Sequence, residues 1–298
     1  MEIGKLVVVG VGLIGASCAL ALRAAGAVRE VVGVGRGQAN LGDALARGVV
    51  DRAHRFDAAW TAELGDADVV LVATPVGQYA EVLSAIASHH SDGLVVTDAG
   101  STKGDVVAAA RAAFGARIAR FVPGHPIAGS DRSGASNAAA DLFEGRNVVL
   151  TPIAETAADA TARVAAMWAA CGARVRTLAP DDHDRIFATV SHLPHLAAFA
   201  FAAEVAARPD AATLLGLAGS GFRDFTRIAA SSPEMWRDIV LANRVALRDE
   251  IARFRAALDG VDRHLALGDA AALEALFERA ATARRRWEAS LSVADDGA

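Results

Sequence analysis

Residues Lys5–Ala16 read KLVVVGVGLIGA, a short apolar strand that breaks into Gly10, Gly12 and Gly15 and then opens a helix. Each glycine has a separate physical task in a dinucleotide-binding turn. Gly10 permits the tight turn, Gly12 lets backbone N–H groups approach a diphosphate, and Gly15 lets the helix pack closely on the strand. The diphosphate would sit on the positive end of the helix dipole, with Leu13 and Ile14 of the first helical turn in the same cradle.

The rest of the chain extends that start into a fold. From residue 1 to about 150, β-branched runs alternate with Ala-rich helical stretches: Leu6–Val9, Val31–Val34, Val69–Val72, Leu94–Thr97, Ile118–Val122 and Val148–Leu150 read as strands. Such alternation predicts a parallel sheet covered on both faces. A further helix and strand (Arg174–Thr177) follow, and beyond Pro180 only helical segments are expected. The expectation is therefore an α/β chain: a Rossmann-like, doubly wound domain over 1–179 and an all-helical domain over 180–298. Pro194, inside an apolar helical run, predicts a kink.

Composition narrows the partners. The 298 residues are 53% hydrophobic and carry a net charge of −5, which argues against nucleic acid or an anionic membrane as a bulk partner. No run approaches the ~18 consecutive apolar residues of a membrane span, and the N-terminal apolar run lacks a basic leader and cleavage site. Cys18 and Cys171 have no motif spacing, so reduced, buried thiols in a cytoplasmic protein are expected.

Ligands of an open parallel sheet bind at the carboxyl ends of its strands. Five segments converge there: Gly10–Gly15, Gly35–Gln38, Thr74–Pro75, Asp98–Ser101 and Gly124–Ser130. An NAD-selective site places an acid about 20 residues beyond the glycines, yet Gly35 stands there and Arg36 follows. A guanidinium at that place pairs with a 2′-phosphate, so NADP is preferred, with NAD as the alternative. Thr74 and Pro75 suit the nicotinamide ribose or a plain turn. Thr102 and Asp105 have the spacing of a capping box, which leaves Ser101 spare and facing the cleft. His125, at a strand's carboxyl end beside the nucleotide, is a general-base candidate. His192 and His195 lie three apart on one helix face, but no third ligand is in sequence reach and no metal is expected. His183 and His192 read as structural.

Taken together, GVGLIGAS (Gly10–Ser17), DAGSTKG (Asp98–Gly104), GHPIAGSDRSG (Gly124–Gly134), VSHLPH (Val190–His195) and GFRDFTRIA (Gly221–Ala229) resemble the prephenate/arogenate (cyclohexadienyl) dehydrogenase family, the TyrA-type enzymes of tyrosine biosynthesis. The resemblance runs on through SSPEMWRDI (Ser231–Ile239). It implies an oxidative decarboxylation in which hydride leaves ring C4 for a nicotinamide, the C4 hydroxyl loses its proton and C1 loses carbon dioxide. By motif position it implies that His125 accepts the hydroxyl proton with Ser101 assisting, that Ser130 is a further contact, and that His195 and Arg227 bind the carboxylates. It also places Trp236 near the site across a dimer, and Ser220 in a stretch, Ala218–Gly221, that departs from the family's glycines and leaves the choice of ring substrate open. A homodimer through the helical domain, acting on a small molecule, follows from the same resemblance and from that domain's apolar content.

Two other readings use the same architecture. One is the β-hydroxyacid dehydrogenase and imine reductase group, of which the former would enlist Lys103, the only lysine besides Lys5. A non-enzymatic NADP sensor would need the glycine turn but not Ser101, His125, His195 and Arg227 together.

Overall fold

A computed structural model describes residues 2–57, 59–89, 91, 93–129 and 134–295, with side chains through residue 290. Six strands form one wholly parallel sheet: β1 (Ile3–Val9), β2 (Val28–Gly35), β3 (Arg52–Arg55), β4 (Val69–Val72), β5 (Val95–Asp98) and β6 (Phe121–Val122), in the spatial order β3-β2-β1-β4-β5-β6. The order reverses at β1, which makes its carboxyl end the switch point where such sheets bind ligands. A second sheet holds β7 (Gly124–Pro126), β8 (Asn147–Leu150) and β9 (Arg174–Thr177), with β7 antiparallel to β8 and β9 parallel to it.

The helices α1 (Leu13–Ala24), α2 (Gln38–Ala46), α3 (Tyr79–Ala87), α4 (Gly104–Phe114) and α5 (Ala158–Ala170) link these strands. The pleat of β1 divides its residues between two cores, as a sheet covered on both faces requires. Leu6 and Val8 pack with Ala16, Cys18, Leu22 and Trp168 on one side, and Val7 and Val9 pack with Leu83, Ile86, Val106 and Phe114 on the other. Cys18 and Cys171 are both buried, with their sulfurs 4.0 Å apart as free thiols.

Several local expectations are corrected. The segment expected as a strand over Ile118–Val122 is a 3-10 turn, Gly115–Arg120, followed by the two residues of β6. Val148–Leu150 joins the second sheet, not the parallel one, and His125, expected just past a strand's carboxyl end, lies within a strand of its own, β7. No capping box forms at Thr102: the carboxylate of Asp184 accepts the Lys103 and Gly104 backbone N–H groups at 2.8 Å each and caps α4 from a distant helix.

The remaining elements are helical: α6 (Pro180–Phe187), α7 (Leu193–Ala206), α8 (Ala211–Gly216), α9 (Ser220–Thr226), α10 (Pro233–Ala242), α11 (Arg244–Ala266) and α12 (Ala270–Asp295). A π-helical turn, Ala188–His192, joins α6 to α7 ahead of Pro194, so the expected irregularity is a widened turn in which the proline's missing N–H needs no partner. The continuous run Pro180–Ala206 is 27 residues long and apolar enough, by length and composition, to match a membrane span, contrary to expectation. Its polar side chains make protein contacts: Asp184 caps α4, and His183 and His192 are buried and hydrogen-bonded. By contact density the chain divides into two compact units, residues 1–244 and 245–298, whereas the change from mixed to all-helical structure falls after Thr177.

Candidate active site

The glycine turn has the geometry its sequence demands. Gly10 sits at φ +103°, and a Cβ there would lie 2.5 Å from the Ala73 carbonyl carbon. A Cβ on Gly15 would stand 2.3 Å from the Gly10 carbonyl oxygen, so the close helix-on-strand approach excludes any side chain. A Cβ on Gly12 would meet nothing within 4 Å. The open space before Gly12 coincides with the N-terminus of α1, which has no side-chain cap and no acidic residue in its first turn. Its N–H groups are left for an anion.

A cavity of about 300 Å³ opens from this turn. Gly10, Gly12, Gly35, Arg36, Thr74 and Pro75 all line it. The hydroxyl of Thr74, one of these lining residues, is buried without a hydrogen-bond partner. Arg36 is exposed at the end of β2. An extended, uncapped cradle with an orphaned hydroxyl fits a dinucleotide. Leu13 and Ile14 are half-buried in the first turn of α1.

The lining residues that escaped the sequence reading include Phe56, Gln78 and Asn40. Phe56 follows β3, a strand whose polar sequence RAHR gives no strand signal. Asn40 is a strut, its Nδ2 donating to the Val11 carbonyl at 2.5 Å and its Oδ1 accepting the Ala135 N–H at 2.8 Å. It ties the glycine turn to the chain that follows Gly134, whose φ is +92°. Ser130, a sequence candidate, lies outside the described residues.

A buried ion pair organises the neighbouring strand ends. Lys103 and Asp98 are both fully buried, with Nζ 2.5 Å from the Asp98 carboxylate and 2.6 Å from the Gly124 carbonyl. Asp98 also accepts the N–H groups of Gly100 and Gly124. The pair thus pins the turn bearing the half-buried Ser101 to the residue that precedes His125. With its ammonium engaged in this way and sealed from solvent, Lys103 is not available to a substrate, which removes the reading that needed a catalytic lysine.

His125 is linked to the helical segment. Its Nδ1 is 2.8 Å from Nε2 of His183, and Nδ1 of His183 is 2.8 Å from the Asp184 carboxylate. Phe187 closes against both imidazoles, with ring centroids 4.8 and 4.5 Å away. Burial first, then the nearby His183, Lys103 and His192, hold His125 well below the usual histidine pKa, so it stands neutral. His183 is also lowered, burial outweighing the carboxylate beside it. His192 is buried too and is pushed to about 4, chiefly by burial. Its Nδ1 meets the Asn243 amide at 3.1 Å, and that amide also donates to the Asp184 carbonyl at 2.7 Å.

His195, Trp236 and Arg227 form the next group. The His195 and Trp236 rings stack with centroids 3.7 Å apart and planes at 21°. This stacking is made within one chain. Nδ1 of His195 donates to the Ser191 carbonyl at 2.9 Å. Its pKa is lowered by burial, with the Arg227 guanidinium contributing. Arg227 itself is exposed, as is Ser220 at the start of α9. Helix α10, which carries Trp236, packs on the turn after Pro75, where Asp238 lies against Gly77. The structure therefore brings His125 to His183, and His195 to Trp236 and Arg227, within the same unit as the glycine turn.

Comparison with known proteins gives two adjoining matches: the family model described as prephenate dehydrogenase, nucleotide-binding domain covers residues 18–177, and that described as prephenate dehydrogenase, dimerization domain covers 179–279. Among individual relatives, the prephenate dehydrogenase of Bacillus subtilis is 34% identical over 278 residues, spanning 92% of this chain and 74% of its own length. The cyclohexadienyl dehydrogenase of Zymomonas mobilis is 31% identical over 294 residues, spanning 94% of each. A crystal structure of prephenate dehydrogenase from Aquifex aeolicus, in complex with hydroxyphenyl propionate and NAD+, superposes with a TM-score of 0.89 at 32% identity, covering 96% of this chain and 99% of that one.

Proposed function

The chain belongs to the prephenate dehydrogenase family, and from that membership we propose that it converts prephenate, arogenate or both to 4-hydroxyphenylpyruvate or tyrosine. It is an NAD(P)-dependent dehydrogenase of the oxidative-decarboxylating kind. The observation that carries the substrate assignment is His125: a histidine held neutral on β7, next to the residue that Lys103 and Asp98 fix at the sheet's carboxyl end. A ring alcohol that must lose its proton as hydride leaves the same carbon needs such an acceptor.

The glycine turn and the N-terminus of α1 would hold the diphosphate, and Thr74 and Pro75 the nicotinamide ribose. When bound, the nicotinamide supplies the hydride acceptor. His125 takes the C4 hydroxyl proton as the C1 carboxylate leaves as carbon dioxide, and aromatisation of the ring drives both losses. Ser101 orients the hydroxyl. Arg227, with its planar fork of donors, and His195 bind carboxylates and so fix C4. Ser220 and Trp236 border the substrate side chain, and Ser130 adds a contact from the loop after β7.

We further infer that NADP is preferred over NAD. Among the described residues no acidic side chain lines the cavity where a ribose 2′-hydroxyl would be recognised, and Arg36 stands exposed at that end. Residues 1–179 are assigned to nucleotide binding and 180–298 to substrate binding and dimerisation. The homodimer reading is supported by the exposed apolar side chains of residues 245–298, among them Phe254, Leu265, Phe277 and Trp287. A cytoplasmic location accords with the two unpaired thiols.

Incubating the protein with prephenate or arogenate and NAD or NADP, while following reduced cofactor and aromatic product together, tests the assignment. Turnover is expected with at least one pair. No turnover with all four would refute it.

A further inference from the structure

Two side chains next to the proposed base, His183 and Asp184, form with it an ordered relay whose hydrogen positions follow from donor and acceptor chemistry with both histidines neutral. The Asp184 carboxylate can only accept: its Oδ1 takes the Lys103 N–H and its Oδ2 the Gly104 N–H. Nδ1 of His183, 2.8 Å from that carboxylate, must therefore carry a hydrogen. A neutral His183 then has a lone pair on Nε2, and Nδ1 of His125, 2.8 Å away, must be the donor to it. This leaves Nε2 of His125 bare. The tautomer is imposed from outside the nucleotide fold, by two residues of α6, of which the sequence reading treated His183 as structural and did not single out Asp184.

We propose that His183 and Asp184 are positioning residues that act through His125, fixing its Nε2 as the proton acceptor and taking up the positive charge that forms there. This rests on the functional reading above, in which His125 receives the C4 hydroxyl proton. As that proton arrives at Nε2 of His125, the hydrogen on its Nδ1 passes to Nε2 of His183. His125 returns to neutral with its hydrogen on Nε2, and His183 becomes an imidazolium hydrogen-bonded to the Asp184 carboxylate. No proton is created or lost in the transfer, and the charge rests beside an anion. The alternative is an imidazolium left on His125, which burial and the nearby Lys103 ammonium disfavour. Of the charged groups packed around the pair, only the carboxylates favour the cation. Asp98 is held by Lys103, which leaves Asp184 to stabilise it.

Two measurements test this, one of them without substrate. In 15N-histidine-labelled wild-type protein loaded with NADP, with resonances assigned through His125→Asn and His183→Gln, the His125 ring is expected to show a protonated Nδ1 and a bare Nε2 at pH 7.5. In His183→Gln that tautomer preference should be lost or mixed. Observation of hydrogen on Nε2 of neutral wild-type His125 overturns the proposal whether or not the protein turns over prephenate, so its failure is distinct from failure of the functional reading. In turnover, His183→Gln keeps a neutral acceptor beside His125 but cannot take a proton. It is expected to lower kcat about 10- to 100-fold with little change in the cofactor KM, and to move the acid limb of the kcat–pH profile to lower pH, because His125 must then bear the charge alone. Asp184→Asn, which removes the anion while keeping an acceptor, should move the limb the same way. A fall in kcat with an unmoved limb in both variants would mean that the two residues only support the fold, and would overturn the charge-sharing role.

Discussion

Replacing Lys103 with Met tests whether the lysine is a strut or a reagent. Lys103 and Asp98 are both fully buried, and Nζ makes two short contacts, to the Asp98 carboxylate and the Gly124 carbonyl. Removing one member of a buried pair leaves an uncompensated charge and typically costs about 3–5 kcal/mol. Here the abandoned Asp98 keeps the Gly100 and Gly124 N–H groups as donors, and Met fills most of the lysine stem, so the low end, about 3 kcal/mol, is expected. For a folding unit of this size each kcal/mol lowers Tm by roughly 2–4 °C, giving a fall of about 6–12 °C by circular dichroism. Asp98→Asn alone should also destabilise, since it strands a buried ammonium. The double variant should be better than the sum of the singles by about 1–3 kcal/mol, because the two losses are one interaction. A Lys103→Met protein that melts within ~2 °C of wild type yet has lost turnover would refute the strut and restore the catalytic-lysine reading.

Four further outcomes follow from the geometry. Gly12→Ala should fold normally and raise the cofactor KM, since its Cβ meets only the space a diphosphate would fill, whereas Gly15→Ala should lower Tm, because its Cβ would sit 2.3 Å from a backbone oxygen. Equal stability of the two variants would contradict that division. Arg36→Ala should raise the NADP KM far more than the NAD KM, and equal changes would remove the argument for NADP. His125→Asn should lower kcat by ~10²–10⁴ with substrate binding retained. In the wild type the lowered His125 pKa keeps the base neutral, so kcat should hold as pH falls through 6.5 and decline only below it. His195 donates its Nδ1 hydrogen to Ser191, so it can grip a carboxylate through Nε2 only when protonated. Burial lowers its pKa, so the protonated form is lost below the usual histidine range as pH rises; substrate KM should climb across that acid range and level off toward neutral pH in wild type, and stay flat in His195→Gln.

What the sequence reveals here depends on whether a residue's task is local. The glycine turn is readable because each glycine answers to backbone sterics within a few positions, as do β1, β4 and β5, whose apolar runs need only a two-sided core. β3 is not readable, since RAHR at a sheet edge has no apolar face to display. The capping of α4 defeats local reasoning for a different reason. Thr102 and Asp105 have the right spacing, but the acceptor that reaches the helix end is Asp184, some 80 positions away, and no pattern short of the tertiary fold links them. The partner of His183 is hidden by the same route: a histidine at the start of an amphipathic helix gives no local sign that His125 stands at one of its ring nitrogens.

The site has to meet two opposed electrostatic demands. A proton acceptor must be neutral, and neutral imidazoles are obtained by burial, which here lowers His125, His183 and His192 together. A substrate with carboxylates needs positive charge, which the same burial would suppress if histidines alone supplied it. Assigning the charge to Arg227 resolves the conflict, because a guanidinium stays protonated in any protein environment. It also stands exposed, so it pays little desolvation before a ligand arrives. His195, between the two regimes, is half-buried and feels Arg227. On the proposed function its protonation is the variable part of substrate recognition. Arg227→Lys should then keep the charge but lose the planar fork, raising substrate KM with kcat nearly intact; an equal fall in kcat would mean that Arg227 acts on the reacting ring and not on a carboxylate remote from it.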